Sequence, residues 1–381
     1  MGHSKQCSRT ESLLGTDKLR YNGFGMAETF EGKRILITGG TGSLGKTLTK
    51  RILSGKHGTP ERVIIFSRDE AKQHEMRMSY LQRRVATDEV IFHNFERTLE
   101  FAIGDVRDFS SVAQACSQAD IVFNAAALKQ VPSCEYFPYE AVRTNIEGPE
   151  NIVRAISELR LPVSTVVGIS TDKACKPVNV MGMTKALQER IFLAANLRSE
   201  ATRFICARYG NVLASRGSVI PLFHDQIRSG GPVTITTPDM TRFLLSLEQA
   251  VDTIVAAVEH AAPGETFIPR VPAALVTDIA EILIGDRPIE TEVIGIRPGE
   301  KVHESLISDE EATRTVERGE YYAIRSMLPE VDSSDGEPAA LVGEFSSDRF
   351  VMDRDGTHSL LERNGLLLSE SLEPLADELL R

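Results

Sequence analysis

Arg34-Ile35-Leu36-Ile37-Thr38-Gly39-Gly40-Thr41-Gly42-Ser43-Leu44-Gly45 is the stretch on which the fold turns. A short β-branched run, too brief for a buried helix, breaks into glycines at the first, fourth and seventh places of a loop, and an amphipathic helical pattern follows. Glycine at those places lets the backbone turn tightly and approach a pyrophosphate, which the free N–H groups and dipole of the next helix stabilise. Gly39, Thr41, Gly42, Ser43, Leu44 and Gly45 are therefore candidate dinucleotide contacts. The alternative is a glycine-rich strand-to-helix turn that holds nothing.

Outward from this motif the same unit repeats. Strand-like runs at 34–38, 62–66, 100–103, 120–124, 164–169 and 203–207 alternate with helical stretches at 43–54, 69–83 and 138–159. Strands that alternate with helices form parallel βαβ units. The expected fold is α/β, a doubly wound parallel (Rossmann) sheet over 31–210. Beyond Tyr209 the rhythm is broken by Ser229-Gly230-Gly231-Pro232 and Arg297-Pro298-Gly299-Glu300, so 211–325 reads as a smaller, mixed substrate-binding region interleaved with that domain. Residues 1–30 read as an aperiodic arm and 326–381 as a C-terminal extension ending in a helix at 370–381.

Composition narrows the function classes. The chain has 381 residues, 41% hydrophobic and 25% charged, with a formal net charge of −11. That acidity, without any basic stripe, excludes a general nucleic-acid role. The five cysteines, Cys7, Cys116, Cys134, Cys175 and Cys206, show no metal-ligand spacing, so no metal site is expected. No apolar run is long enough to span a bilayer and no signal peptide is legible, which reads as a cytoplasmic protein.

After the second strand comes Ser67-Arg68-Asp69. An NAD site places a carboxylate there for the ribose hydroxyls. Ser67 and Arg68, with Lys72 one turn on, suit a 2′-phosphate, so NADP is favoured. Asp69 keeps NAD as an alternative, or else caps the next helix. Asp105 and Val106 after the third strand are candidates for the adenine, and Ala125 and Ala126 after the fourth are small enough for close cofactor approach.

Together these segments, with Lys129-Gln130-Val131-Pro132, Ser170-Thr171-Asp172-Lys173, Arg208-Tyr209-Gly210-Asn211-Val212, Pro238-Asp239-Met240-Thr241-Arg242-Phe243 and Arg297-Pro298-Gly299-Glu300-Lys301, resemble the UDP-N-acetylglucosamine 4,6-dehydratases, extended short-chain dehydrogenases/reductases of bacterial surface-sugar biosynthesis. The resemblance covers roughly 30–325. It implies a UDP-amino sugar substrate and a homo-oligomer, dimer or hexamer. Where one branch carries a catalytic Tyr in Tyr-x-x-x-Lys, this chain reads Met181-Gly182-Met183-Thr184-Lys185. It is similar to the branch with Met, which retains the configuration at C5.

The resemblance implies roles: Asp172 as general acid for the C6 hydroxyl, Lys173 as general base at C5, and Lys185 on the nicotinamide ribose. A thioether cannot accept the C4 hydroxyl proton. Thr171 or Ser170 is therefore expected to relay it, towards Lys185 or water. By the same resemblance Asn211 meets the diphosphate, Arg297 a phosphate, Glu300 the ribose and Lys129 the sugar. Arg216 and Arg242 are further candidates for the diphosphate, and Val219 for the base pocket. An arbitrary Asp-Lys pair is more often a surface ion pair, and an arbitrary Arg a solvated charge. Two other readings stay open: a UDP-sugar 4-epimerase, which has no leaving group at C6, and a catalytically silent NADP-binding protein, which Met181 would explain.

Overall fold

The computed structural model describes residues 28–82, 95, 97–213, 218–332 and 336–368. The expected arm, apart from its last three residues, and the expected last helix lie outside them. β1 (Arg34–Thr38), β2 (Arg62–Ser67), β3 (Leu99–Ile103), β4 (Ile121–Asn124), β5 (Thr165–Thr171) and β6 (Arg203–Tyr209) form as the alternation predicts. Between them lie α1 (Ser43–Leu53), α2 (Glu70–Gln82), α3 (Phe109–Cys116), α4 (Val131–Tyr136), α5 (Pro138–Val142), α6 (Gly148–Leu159) and α7 (Val180–Ala195). One expected helix, 138–159, is interrupted: a π turn at Arg143–Glu147 separates α5 from α6. Asn145 in that turn reaches back to the main chain of Leu128 at both ends of its amide. Side-chain bonds of that kind are a reason for the extra residue in the turn.

The main sheet has nine strands. β3, β2, β1, β4, β5, β6 and β10 (Thr266–Pro269) run parallel in that spatial order, and β15 (Tyr321–Ile324) and β14 (Thr315–Arg318) close one edge antiparallel. This is the doubly wound fold, with the crossover direction reversing between β1 and β4. Both faces of the central strands are covered, and their middle residues are apolar. Ile35, Ile37, Val63 and Ile65 face one core, shared with α1, α2 and α9 (Leu247–His260). Leu36, Ile64 and Phe66 face the other, under α3, α6 and α7.

A third core belongs to the smaller region. There α8 (Val219–Arg228), β8 (Val233–Ile235), α10 (Val276–Ile284) and α12 (Arg354–Arg363) pack together. Its remaining strands are short: β7 (Asn211–Val212), β9 (Thr241–Leu245) and β11 (Ala273–Leu275) form one sheet, β12 (Thr291–Val293) pairs with β8, and β13 (Ser305–Ile307) pairs with β16 (Phe345–Ser346). The C-terminal extension is thus partly built in, since β16 and α12 both come from it.

Gly168, in the middle of β5, governs how α7 lies on the sheet. A Cβ there would stand 2.4 Å from the Phe192 ring and 3.2 Å from Cys206 Sγ. Gly168→Ala is expected to destabilise the fold by about 2 kcal/mol, the usual cost of overpacking a filled core. Urea unfolding of the two proteins measures this; equal midpoints would mean that Phe192 moves aside freely.

Candidate active site

The loop after β1 is shaped by close backbone contacts. Gly39 has φ 66°, and a Cβ on it would meet Ala126 N at 2.7 Å and Ala126 Cα at 2.8 Å, so this loop and the one after β4 touch main chain to main chain. Gly45 lies against Gly40 in the same way, its Cβ direction ending 2.4 Å from Gly40 Cα. Thr38 Oγ1 donates to Asn124 Oδ1 at 2.8 Å, and Ala126 N donates to Thr38 Oγ1 at 3.3 Å. Gly42 is the N-cap of α1 and supplies no side-chain cap, so the first N–H groups of the helix are left for another acceptor. The Asn124 amide nitrogen is buried without a hydrogen-bond partner. Small residues, uncapped helix N–H groups and an orphaned donor at the sheet's switch point fit a dinucleotide.

At the next strand end the choice between phosphate and ribose hydroxyl has a structural counterpart. Asp69 accepts the Lys72 N–H at 3.0 Å as the N-cap of α2, and Lys72 Nζ lies 2.8 Å from its other oxygen. These bonds from Lys72 hold the Asp69 carboxyl below its ordinary value. Ser67 is fixed by Gln73, which donates to both its Oγ and its carbonyl. Arg68 is half exposed, 3.7 Å from Asp105. Burial pushes the Asp105 carboxyl up, but hydrogen bonds from Arg107 outweigh it and keep the group ionised. Val106 is buried, with Asn151 donating to its carbonyl.

The end of β5 carries the expected acid and base, Asp172 and Lys173. The strand runs to Thr171, two residues further than its sequence pattern suggests, and a 3₁₀ turn starts at Asp172. Asp172 is completely buried. Its Oδ1 accepts from Thr171 Oγ1 at 2.8 Å and from Lys173 Nζ at 3.1 Å, while Oδ2 has no hydrogen-bond partner. Lys173 Nζ also lies 3.3 Å from Oε1 of the buried Glu304. Burial pulls the Lys173 ammonium down, but the charges of Asp172 and Glu304 more than reverse this and raise it above its ordinary value.

Behind the strand, Ser170 donates to Glu189, which is locked with Arg208 and Glu311 in a fully satisfied buried ion network. The hydroxyl oriented towards Asp172 is therefore that of Thr171. Of the expected relay routes, towards Lys185 or water, the first has no direct contact here: Thr171 is bonded to Asp172, and Lys185 Nζ donates to Ile169 O and Gln188 Oε1. Met181 is buried in a small cluster with Cys134 and Ala141, beside Leu128 and Val131. Gly182 next to it is needed for packing, because a Cβ would stand 2.2 Å from Lys173 O.

Among the substrate candidates, Arg242 is buried and its guanidinium donates to the carbonyls of Thr241, Lys301 and Val302, so it braces the 301–302 loop. Asn211 Oδ1 is buried without a hydrogen-bond partner. Arg297 and Lys129 are exposed, Glu300 is partly buried with Thr236 at 3.5 Å, and Val219 opens α8. Arg216 lies outside the described residues. Glu304 is the one member of the charged cluster that the sequence reading leaves out; its signal was a charged residue immediately before the apolar strand β13.

The buried Lys185 ammonium is disfavoured by desolvation, which brings its pKa down to about 8. In the unfolded chain it titrates near the ordinary lysine value. The folded protein consequently carries a penalty that is complete below pH 8 and fades as pH rises from 8 towards 10.5. Lys185→Met should raise the stability of the cofactor-free protein at pH 7 by roughly 1 kcal/mol, after the lost hydrogen bonds are subtracted. Melting curves at pH 7 and pH 10 check this; a gain that does not shrink at the higher pH contradicts it.

Among the described residues no helix is long and apolar enough to cross a membrane, and no group of three or more metal-ligating side chains converges. Residues 35–326 match the family described as "Polysaccharide biosynthesis protein". A curated relative from Rickettsia conorii, named UDP-glucose 4-epimerase, is 44% identical over 300 residues, which is 77% of this chain and 83% of the relative. A relative of the same name from Rickettsia typhi is 43% identical over the same shares. Among solved structures, Pen from Bacillus thuringiensis superposes with a TM-score of 0.77 at 34% identity, covering 89% of this chain and 99% of Pen. DesIV from Streptomyces venezuelae, a dTDP-glucose 4,6-dehydratase solved with NAD, shares the fold at a TM-score of 0.59, 18% identity, 71% of this chain and 86% of its own. By a match over most of its length and by 44% identity with a relative over 83% of that relative's length, the chain belongs to the polysaccharide biosynthesis protein family.

Proposed function

We propose that this protein is a nucleotide-sugar 4,6-dehydratase that acts on UDP-N-acetylglucosamine with NADP and retains the configuration at C5. The observation that carries this reading is the pairing of Asp172 and Lys173 at the sheet's C-terminal edge, where ligands of doubly wound sheets bind. Redox chemistry at C4 alone, which is all an epimerase needs, gives such an acid and base nothing to do.

When bound, the cofactor supplies the redox half of the sequence, taking hydride from C4 and returning it to C6. The protein's own groups handle the protons. The C4 hydroxyl proton passes to Thr171 Oγ1 while Thr171 gives its own to Asp172 Oδ1 along the 2.8 Å bond. Asp172 is then the acid that protonates the C6 hydroxyl as it leaves as water. The C4 ketone acidifies C5, whose proton goes to Lys173 Nζ, where it mixes with the exchangeable hydrogens of the amine before Nζ reprotonates C5. In this scheme the proton lost at C4 is the one that departs in the water, and no tyrosine is required. Met181, in its apolar cluster, keeps water from the ring instead of moving a proton.

For the cofactor, residues 39–45, Ala125 and Ala126 would receive the pyrophosphate and nicotinamide half, and Asp105 and Val106 the adenine. Arg68, with Ser67 and Lys72, would meet the 2′-phosphate, Asp69 being engaged as a helix cap. Lys185 would turn from Ile169 O to the nicotinamide ribose. Asn211, Arg297, Glu300, Lys129, Arg216 and Val219 would line the nucleotide-sugar side, with Arg242 bracing the loop behind Glu300. A second reading, UDP-glucose 4-epimerase, is supported by the names of the curated relatives.

Incubation with UDP-N-acetylglucosamine separates the two. A product lighter by one water supports the dehydratase; an isomer of unchanged mass from this sugar or from UDP-glucose supports the epimerase. Asp172→Asn should cut dehydration at least a hundredfold, within the range of general acid catalysis, and should also slow reduction of the cofactor in a single turnover, because the C4 proton then has no carboxylate to reach through Thr171. Arg68→Ala should weaken NADP binding about tenfold and leave NAD within a factor of about two, as loss of one exposed charge-assisted contact predicts. Titration of cofactor fluorescence reads this directly, and equal loss for both cofactors would remove Arg68 from the phosphate.

A further inference from the structure

As a base, Lys173 meets one obstacle. Lys173 sits between two carboxylates that favour its ammonium form, and an ammonium cannot take the C5 proton. Asp172 is committed in the proposed cycle, since it already receives the proton from C4. The remaining neighbour is Glu304, which is 2% exposed. Its Oε1 is 3.3 Å from Lys173 Nζ, and its Oε2 has no hydrogen-bond partner, with Lys301 Nζ at 3.6 Å. Lys301 Nζ donates to Cys175 O at 2.7 Å.

Glu304 is held from behind by the C-terminal segment. Its N–H donates to Ser347 Oγ at 2.9 Å, and Ser347 N–H donates back to Glu304 O at 2.8 Å. Ser347 Oγ also lies 2.6 Å from Thr241 Oγ1, which in turn contacts His303 Nδ1 at 2.8 Å. Ser347 lies beyond the stretch that matches the family, 35–326. A buried carboxylate fixed on both sides of its backbone, with one oxygen on a lysine and the other short of donors, is a costly arrangement for stability alone.

We infer that Glu304 is the proton-exchanging partner of Lys173 and sets when that lysine can act as a base. The proton moves from Lys173 Nζ to Glu304 Oε1; an N–H bond breaks, an O–H bond forms, and the ion pair becomes a neutral pair. The amine then takes the C5 proton and becomes an ammonium again. After Nζ has reprotonated C5, Glu304 gives its own proton back to Nζ, and both groups regain their starting charges. The other charges around Lys173 do not compete for this role. Arg242 faces it as a cation from β9. On α7, which packs against the turn, Lys185 is bonded to Ile169 O and Gln188, and Glu189 is bonded to Ser170 and Arg208. This inference rests on the dehydratase reading.

The test combines amine reactivity with turnover, on the full chain. Trace acylation by acetic anhydride at pH 8, read by peptide mass spectrometry, reports the free-amine fraction of Lys173, with Lys185 as a buried internal reference. Loss of one opposing charge at this distance lowers a lysine pKa by about one unit or more, so Glu304→Gln should label Lys173 about tenfold faster while Lys185 is unchanged. In the same variant, kcat for water loss should fall at least thirtyfold with KM changed less than threefold, because Gln cannot take the proton. Glu304→Asp should restore wild-type labelling and part of kcat. Faster labelling with an undiminished kcat would overturn the inference, because Glu304 would then only hold the lysine's charge. Unchanged labelling of Lys173, or faster labelling of Lys173 and Lys185 alike, would overturn it too, the latter by showing a structural role. If the wild-type protein releases no water, the dehydratase reading fails on its own evidence, while the labelling result still decides whether Glu304 governs Lys173.

Discussion

A lysine ammonium held out of bulk water between two buried carboxylates, Lys173 between Asp172 and Glu304, is the interaction on which the rest of the site depends. Three charges in a poorly solvated pocket are expensive, and each is tolerable because the others are there. The fold supplies the conditions. Asp172 and Lys173 leave the end of β5, Glu304 precedes β13, and Gly182 lets α7 approach the Lys173 carbonyl closely enough to fix the turn between them. A second buried ion network, Arg208 with Glu189 and Glu311, ties β6, α7 and α11 (Asp309–Ala312) together just behind. The strand that leads into Asp172 and Lys173 is thus held at its end by both networks.

The cofactor side rests on a different constraint, the approach of two loops with no side chains between them. Gly39 against Ala126 and Gly45 against Gly40 leave space where the helix α1 begins with uncapped N–H groups. Binding there converts a local cost, unsatisfied donors at a helix end, into affinity for an anion. The lysine that would contact the ribose, Lys185, follows the same logic. Burial makes its charge unfavourable, and the protein carries that cost at neutral pH.

What could be read beforehand follows from range along the chain. The six early strands and the glycine loop are local patterns, and β1 matches its expected limits to the residue. The Asp172-Lys173 pair was visible because both residues belong to one motif at one strand end. Longer-range features were not. The interruption at Arg143–Glu147 comes from Asn145 bonding to Leu128, seventeen residues away. Glu304 meets Lys173 only when two strands 130 residues apart are brought together, and Ser347 reaches it from further still. The antiparallel edge formed by β14 and β15 gave no signal either, being two short runs within an irregular stretch. Arg242 reads in the sequence as a candidate for the diphosphate, and the carbonyls of the 301–302 loop that its guanidinium meets become visible only in the fold.

Deuterium at C5 is the most direct measure of whether Lys173 performs the proton transfer on which all of this depends. With UDP-N-acetylglucosamine in heavy water, the product should carry solvent deuterium at C5, and Lys173→Met should abolish its incorporation while reduction of the cofactor in a single turnover persists. A product with only protium at C5, or deuterium incorporated equally well without the lysine, would contradict the account.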